Sequence, residues 1–163
     1  MPVVDSTAFV DPSAQVIGDV TLGAESGIWM NTVVRGDVNV IRIGARTNVQ
    51  DGCVLHVTRR RYALTIGDDV TIGHGVIVHG CTLMNHSFIG MGATVMDGAV
   101  VGEFAMVGAG ALVTQGKEIP PGTLAVGAPA RVVRDLTEDE IQRIRQSAIN
   151  YVRDRLDYME PQG

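Results

Sequence analysis

The sequence predicts an all-β solenoid followed by one C-terminal α-helix, and three observations support this fold class. Aliphatic residues recur at six-residue spacing through most of the chain and are often followed by glycine. Hydrophobic residues make up 45% of the chain but aromatic residues only 4%, so the core must be built mainly from small aliphatic side chains. After residue 136, the apolar residues recur at helical spacing instead.

The six-residue repeat is the strongest of these signals. It places only Val, Ile or Leu at Val10, Val16, Leu22, Ile28, Val34 and Val40; at Ile43, Val49 and Leu55; at Ile66, Ile72 and Val78; and at Ile89, Val95, Val101, Val107 and Val113. This period fits no α-helix, but it suits short strands joined by tight turns, with one aliphatic side chain per strand directed inward. Such units bury their apolar side only against their neighbours, which predicts a solenoid.

The repeat, over about residues 8–115, resembles the left-handed parallel β-helix of the hexapeptide-repeat transferase superfamily. The resemblance implies triangular coils, each made of three hexapeptides, or about 18 residues. After Val113 we expect the repeat to stop. A turn-rich tail, with Ile119-Pro120-Pro121-Gly122 and Gly127–Arg131, then completes a β-helical region spanning residues 1–136.

An amphipathic helix is predicted over residues 137–159. Thr137 and Glu140 match a capping box, with Thr137 as the N-cap and Glu140 three residues later. Apolar residues follow at helical spacing, and they are Ile141, Ile144, Ala148, Tyr151 and either Val152 or Leu156. We expect this helix to pack back along the β-helix or across a subunit boundary, with its charged face in solvent.

Two interruptions of the repeat align polar residues on adjacent coils. Val34 and Leu55 are 21 residues apart, and Leu55 and Val78 are 23 apart, so each interval exceeds one coil. We expect the extra residues to form loops near residues 38–42 and 57–63, so that the three aliphatic residues stack inward. The next residue of each strand then faces outward, which aligns Arg35, His56 and His79.

The same stacking places Asp51 against His74, one face earlier. His56 and His79 are then neighbours at about 5 Å, while His74 of the same chain points elsewhere. The three histidines can meet only if a neighbouring subunit supplies His74, which predicts a homotrimer with three shared sites. Three imidazoles are a ligand set of catalytic zinc that leaves a fourth position for water.

Several motifs resemble the γ-class carbonic anhydrase family. They are Arg35-Gly36-Asp37, Asn48-Val49-Gln50-Asp51 with His56 five residues beyond, His74 and His79 in a His-x₄-His spacing, and Gly90–Val95 further along. The resemblance implies hydration of CO₂ to bicarbonate by a metal-bound hydroxide. Carbonic anhydrase is itself the standard example of zinc lowering the pKa of its water to about 7. Imidazole ligands suit Zn²⁺, Fe²⁺ and Co²⁺ alike, so the metal stays open.

The resemblance also implies a role for each matching residue. His56 and His79 match the ligands given by one subunit, and His74 matches the ligand given by its neighbour. Gln50 matches the side chain that hydrogen-bonds the hydroxide, and Asn48 matches the residue that holds it. The ion pairs at the subunit boundary, which also shape the bicarbonate site, are matched by Arg35, Asp37 and Asp51.

The chain departs from the best-studied pattern of that family in its proton-shuttle region. Val38 stands where the pattern has a Glu, and the loop with Arg59–Arg61 is short and basic where the pattern is acidic. Because each turnover must remove a proton, we expect this difference to limit the rate more than metal binding. His86 and Tyr151 are alternative shuttles, although a surface histidine and a helix-packing tyrosine are the simpler interpretations.

Composition excludes several other classes of protein. A net charge of −5 argues against nucleic acid as a partner, and no apolar run is long enough to cross a membrane. The N-terminus lacks the basic start and apolar core of a secretory signal. Cys53 and Cys81 are expected to be reduced thiols in the cytoplasm.

Three alternative functions remain open at this point. The same fold and the Gly127–Arg131 tail occur in acyl-CoA-dependent transferases, which use one histidine as a general base and need no metal. A metal-activated water could instead hydrolyse an acyl thioester. A third interpretation is a non-catalytic trimeric scaffold that keeps the metal as a structural element.

Overall fold

The computed structural model describes residues 1–159 and has the predicted architecture, a left-handed parallel β-helix of about seven turns with one C-terminal helix. The helix α1 spans Glu138–Met159. In chain order, the strands are β1 (Val3–Val4), β2 (Phe9–Val10), β3 (Gln15–Leu22), β4 (Gly27–Ile28), β5 (Val33–Ile43), β6 (Asn48–Val49), β7 (Val54–His56), β8 (Leu64–Ile66), β9 (Thr71–Ile72), β10 (Ile77–His79), β11 (Thr82–Leu83), β12 (Phe88–Ile89), β13 (Thr94–Val95), β14 (Val100–Val101), β15 (Met106–Val107), β16 (Leu112–Val113), β17 (Glu118–Ile119), β18 (Thr123–Val126) and β19 (Arg131–Asp135).

The coils have three flat faces, which the chain crosses in a constant order. The helix face consists of β2, β4, β6, β9, β12, β15, β18 and β19. The His56 face consists of the first parts of β3 and β5, then β7, β10, β13 and β16. The third face consists of β1, the second parts of β3 and β5, then β8, β11, β14 and β17.

The predicted aliphatic register forms the core. From Leu22 to Val113 every predicted inward residue is buried except Val40. Val10 and Val16 are only partly buried, because no strand lies beneath β2 or the first part of β3. Val40 was wrongly assigned to the core, since Ile41 occupies the inward position and is fully buried.

The two interruptions of the repeat have different structures. The first was predicted as a loop near residues 38–42, and this prediction is wrong, because those residues form a bulge inside β5. Gly18 of β3 pairs with Gly36 of β5, and the next pair is Val20 with Ile41. Pairing with β3 therefore keeps β5 extended on both sides of the extra residues. The second interruption, residues 57–63, is a loop as predicted.

The repeat also continues beyond Val113, although the sequence predicted that it ends near residue 115. Ile119 and Ala125 occupy the next inward positions and are fully buried. Strands β17 and β18 pair in parallel with β14 and β15 of the preceding coil. Pro120 and Pro121 do not end the coil because they lie at its corner, outside the strands.

Helix α1 packs back along the helix face, against β2, β4, β6 and β9. Both halves of the predicted capping box are present: the Glu140 carboxylate accepts from the Thr137 backbone N–H at 2.9 Å, and the Thr137 hydroxyl accepts from the Glu140 N–H at 3.3 Å. Ile144 and Ala148 are buried as predicted. No helix in the described part of the chain has the length and apolar character needed to span a membrane.

The last apolar contact of the helix was predicted at either Val152 or Leu156, and Val152 is the one that is partly buried. Leu156 is exposed, whereas the neighbouring Arg155 is buried. The Arg155 guanidinium donates to the backbone oxygen and the carboxylate of Glu25, both at 3.2 Å. This charged contact fastens the end of α1 to a corner of an early coil.

Candidate metal centre

His56 and His79 lie side by side on the outer surface of the His56 face. They are the last residues of β7 and β10 and are register partners. Their ring nitrogens, Nδ1 of His56 and Nε2 of His79, are 3.0 Å apart. Val34, Leu55 and Val78, which directly precede Arg35, His56 and His79, are register partners on adjacent coils. This register confirms the predicted alignment of Arg35 with the two histidines.

A carboxylate on the next coil orients His79. Its Nδ1 is 2.7 Å from Oδ1 of Asp97, and the Thr58 hydroxyl donates to the other Asp97 oxygen at 2.8 Å. When Nδ1–H donates to Asp97, the lone pair of Nε2 is directed away from the carboxylate, as in histidines that bind metals. The sequence analysis missed Asp97, although its position 18 residues after His79 is one regular coil further on.

His56 contacts a different carboxylate, that of Asp37, which lies in the bulge of β5. Its Nε2 is 3.0 Å from Oδ1 of Asp37, whose other oxygen accepts from the Arg35 guanidinium. The hydrogen bond from His56, followed by that from Arg35, lowers the pKa of the Asp37 carboxyl. We call His56, His79, Asp37 and Asp97 together the His56–His79 edge, because β7 and β10 end here at the corner with the third face.

His74 lies at the opposite edge of the same face. It precedes Gly75, whose φ of 67° turns the chain from the helix face onto the His56 face. The His74 Nδ1 is 3.8 Å from the Asp51 carboxylate, and His74 and Gln50 line a common cavity of about 290 Å³. We call His74, Asp51 and Gln50 together the Gln50 edge.

The predicted contact between Gln50 and Asn48 is present. Gln50 Nε2 donates to Asn48 Oδ1 at 3.0 Å, and Asn48 Nδ2 donates to Thr71 Oγ1 at 3.0 Å. Because the amide nitrogen of Gln50 is used in this way, its oxygen is the end that can accept a hydrogen bond from a bound molecule.

An apolar stripe separates the two edges. Val33, Val54 and Ile77 are register partners on the outside of the His56 face, and Val54 and Ile77 are 41% and 43% exposed. Within residues 1–159, no three His, Cys, Asp or Glu side chains converge on a point that could hold a metal. Within one chain, the candidate ligands therefore lie in two separate groups, and Asp51 lies on the edge away from Arg35.

The two alternative proton shuttles lie in different places. Tyr151 lines a cavity of about 380 Å³ with Asp51 and His74, and burial, followed by the charges of Asp51 and Asp154, raises the pKa of its hydroxyl. His86 is not brought to either edge. It lies at the corner between the third face and the helix face, with φ of 58°, stacked on Phe104 at 4.5 Å.

The donor atoms of the two edges fit a divalent metal. His56 and His79 offer ring nitrogens directed at each other, each ring has a carboxylate behind it, and imidazole is the ligand that zinc and its neighbours share. Within the residues described, one chain has no third histidine at the His56–His79 edge. The other histidine of this face, His74, lies at the Gln50 edge.

Comparison with known proteins identifies the family. The sequence model of a protein family described as "bacterial transferase hexapeptide (six repeats)" matches residues 80–115. The chain is 52% identical over 140 residues to the probable carbonic anhydrase of Methanocaldococcus jannaschii, covering 86% of this chain and 87% of that protein. It is also 52% identical over 155 residues to the mitochondrial gamma carbonic anhydrase 1 of Arabidopsis thaliana, covering 92% of this chain but only 56% of that protein.

A solved structure supports the same grouping. The chain superposes with a TM-score of 0.94 on a Bacillus cereus protein described as a candidate acetyltransferase, with 48% sequence identity, 96% of this chain covered and 91% of that one. The archaeal and Bacillus relatives match this chain over nearly their whole length and so establish common descent, whereas the functions in their names differ. The chain belongs to the γ-class carbonic anhydrase-like family of hexapeptide-repeat β-helix proteins.

Proposed function

We propose that this chain is the subunit of a homotrimeric, metal-dependent lyase that hydrates CO₂ to bicarbonate. The observation that carries the proposal is that His56 and His79 lie at one edge of a face, whereas His74 and Gln50 lie at the opposite edge of the same face. A second copy that sets its Gln50 edge against the His56–His79 edge of the first would complete the site. Threefold repetition of one such contact closes a ring with three equivalent sites.

In this proposal, His56 and His79 of one copy and His74 of the next hold the metal. Zn²⁺ is the proposed ion, with Fe²⁺ and Co²⁺ as alternatives that the same ligands accept. When bound, such an ion acts as a Lewis acid that brings the pKa of a water to about 7, as in carbonic anhydrase, the standard example. Asp97 and Asp37 keep the two imidazoles in the orientation that leaves a ring nitrogen available.

Gln50 would orient the nucleophile in the completed site. Its nitrogen donates to Asn48, so its oxygen can accept the remaining hydrogen of the attacking group. This contact would direct an oxygen lone pair toward CO₂ and hold the group in one orientation before reaction.

Arg35 would serve both the boundary and the product. Its guanidinium already contacts Asp37 within the chain, and in a trimer its remaining donors would face Asp51 of the adjoining copy. A planar guanidinium also binds a bicarbonate ion through two parallel hydrogen bonds. We therefore assign Arg35, Asp37 and Asp51 to the interface and to bicarbonate binding.

The decisive experiment combines metal analysis with mixing of variants. His56→Ala and His74→Ala homotrimers should each bind little metal and hydrate CO₂ poorly. Co-refolding the two should restore part of both, because some boundaries in a mixed trimer carry only wild-type ligands. Absence of any recovery would mean that all ligands come from one chain, and metal-loaded wild type without CO₂ hydration would refute the proposed reaction.

Hydrolysis of an acyl thioester is a second candidate function. The cavity beside Gln50 and His74 is lined mainly by apolar groups, including Phe88, Met91 and Met106, and could accept an acyl chain. Hydrolysis of acyl-CoA by the metal-loaded protein, with no CO₂ hydration, would support it. Acyl transfer without metal would instead support the transferase interpretation.

We place the proposed trimer in the cytoplasm. Cys53 and Cys81 are both unpaired and buried, as expected for a protein that never meets an oxidising compartment. Burial raises the pKa of the Cys53 thiol to about 11 and that of Cys81 still further, so both stay protonated. Neither thiol of the folded protein should react with iodoacetamide at neutral pH.

A further inference from the structure

A chain of side-chain hydrogen bonds connects Gln50 to the middle of helix α1. Gln50 donates to Asn48, and Asn48 donates to Thr71, at 3.0 Å each. The Thr71 hydroxyl in turn lies 3.2 Å from the Ser147 hydroxyl of α1. Gln50, Asn48 and Thr71 are all buried, so these bonds form in a medium where an unmade partner would be costly.

A backbone carbonyl, that of Val70, determines which groups donate and which accept in this series of hydrogen bonds. Asn48 Nδ2 is 3.4 Å from the oxygen of Val70, which can only accept. The amide of Asn48 must therefore present its nitrogen to Val70 and Thr71, and its oxygen to Gln50. That orientation in turn uses the nitrogen of Gln50 and leaves its oxygen toward the cavity.

We propose that Thr71 and Ser147 are positioning residues for Gln50, so that helix α1 holds the amide in the orientation needed for catalysis. The inference rests on the proposed function for its kinetic consequence, but the hydrogen-bond chain itself does not. Neither hydroxyl touches the cavity that Gln50 and His74 line, so each acts only through Asn48.

The placement of Ser147 supports a role beyond fastening the helix. The two ends of α1 are already held, by Thr137 with Glu140 at its start and by Arg155 with Glu25 near its end. Ser147 lies between Ile144 and Ala148, the buried apolar contacts of α1, and its hydroxyl is directed at Thr71. Loss of one partly buried hydroxyl should therefore leave the helix in place.

The test compares Thr71→Val, Thr71→Ser and Ser147→Ala in the zinc-loaded protein. Removing a group that orients a metal ligand from outside typically costs between tenfold and a hundredfold, and since Gln50 is not a proposed ligand, we take the lower end of that range. Because Val70 still holds Asn48 weakly, we expect about a tenfold loss of kcat in Thr71→Val, with KM and zinc content unchanged. Thr71→Ser should retain wild-type kcat, and Ser147→Ala should lose a smaller factor.

A second measurement separates positioning from catalysis. In NMR spectra of the same proteins, the side-chain amide protons of Gln50 should exchange with water faster in Thr71→Val and Ser147→Ala than in wild type. Thr123→Val is the matched control, because this buried hydroxyl donates to the Pro120 backbone oxygen at 2.8 Å on β18, three strands away from the β9 strand of Thr71. It should change neither kcat nor amide exchange.

Unchanged amide exchange in both Thr71→Val and Ser147→Ala would overturn the inference, as would loss of zinc in either. If Thr71→Val does not fold, Ser147→Ala decides alone. A wild-type protein that binds zinc but hydrates no CO₂ would refute the proposed function, and the amide measurement would still test the hydrogen-bond chain.

Discussion

The two edges of the His56 face are organised to different degrees by a single chain. At the His56–His79 edge, the imidazoles are 19% and 31% exposed and have carboxylate oxygens at 3.0 and 2.7 Å. At the Gln50 edge, His74 is 49% exposed and its carboxylate is 3.8 Å away, although Gln50 itself is buried and hydrogen-bonded. The chain by itself therefore fixes His56, His79 and the Gln50 amide more firmly than it fixes His74.

This difference follows from where each group lies on the coil. His56, His79 and Asp97 lie on three consecutive coils at the same edge, so each ring has a neighbour above or below it. His74 projects at a glycine corner, where Asp51 is the adjacent acidic group. In the proposed trimer, the ordered edge would receive the less ordered one.

The largest expected effect comes from charging the stripe between the edges. Ile77→Glu should prevent trimer formation and abolish metal binding, because a carboxylate would be buried at the proposed boundary without a partner. Sedimentation velocity and metal analysis measure both. Met84→Glu, an equally exposed residue near the third face, is the control and should stay trimeric. An Ile77→Glu trimer with full metal content would contradict the use of this face.

A smaller effect should distinguish the carboxylates of the two edges. Asp97→Asn should weaken zinc affinity by about tenfold to a hundredfold, because His79 loses the acceptor that fixes its ring. Asp51→Asn should change the zinc affinity of the assembled trimer much less, since its carboxylate lies beyond hydrogen-bond distance from His74, and its main effect should be on trimer assembly through the proposed contact with Arg35. Competition with a chelator measures both affinities. Equal losses would mean that His74 is oriented as strongly as His79.

Proton removal should depend on buffer. The loop beside the His56–His79 edge carries Arg59–Arg61 and no carboxylate, so turnover should rise severalfold with imidazole-type buffer while kcat/KM for CO₂ stays constant. Stopped-flow CO₂ hydration at varied buffer concentration measures this dependence. High turnover that is independent of buffer would contradict the prediction, and loss of that turnover in Tyr151→Phe would then assign the shuttle to the Gln50 edge.

The smallest effect concerns the helix that supports the Gln50 edge. The Arg134 guanidinium, followed by the Thr137 backbone, lowers the pKa of Glu140 from 4.5 to about 2. A carboxyl whose pKa is lower in the folded state stabilises above its unfolded pKa and loses that contribution as pH falls toward the folded value. Glu140→Gln should therefore be less stable than wild type at neutral pH, and the difference should shrink between pH 4.5 and about 2.

Urea unfolding followed by circular dichroism at several pH values would measure that difference. Glu138→Gln, in the same first turn but without an arginine partner among the described contacts, is the matched control. A difference that is constant down to pH 2 would mean that the Glu140 charge does not stabilise the helix. Metal affinity at the His56–His79 edge should be the same in both variants.

The amino-acid sequence by itself determined the features that depend on regular local spacing. The aliphatic register from Leu22 to Val113, the alignment of His56 with His79 and the capping box of α1 could all be read from spacing alone, because coil length and strand alternation repeat. The contact of Asn48 with Gln50 was also expected, but through family resemblance.

Only the tertiary structure decided how the irregular segments are placed. The extra residues of β5 could have formed a loop, and only their pairing with β3 on the neighbouring coil makes them a bulge that brings Asp37 to His56. Arg155 is buried in place of Leu156 because Glu25, on an early coil, supplies its partner. The link from Thr71 to Ser147 joins residues 76 positions apart in the chain. No local period specifies such contacts, because they depend on the packing of one completed element against another.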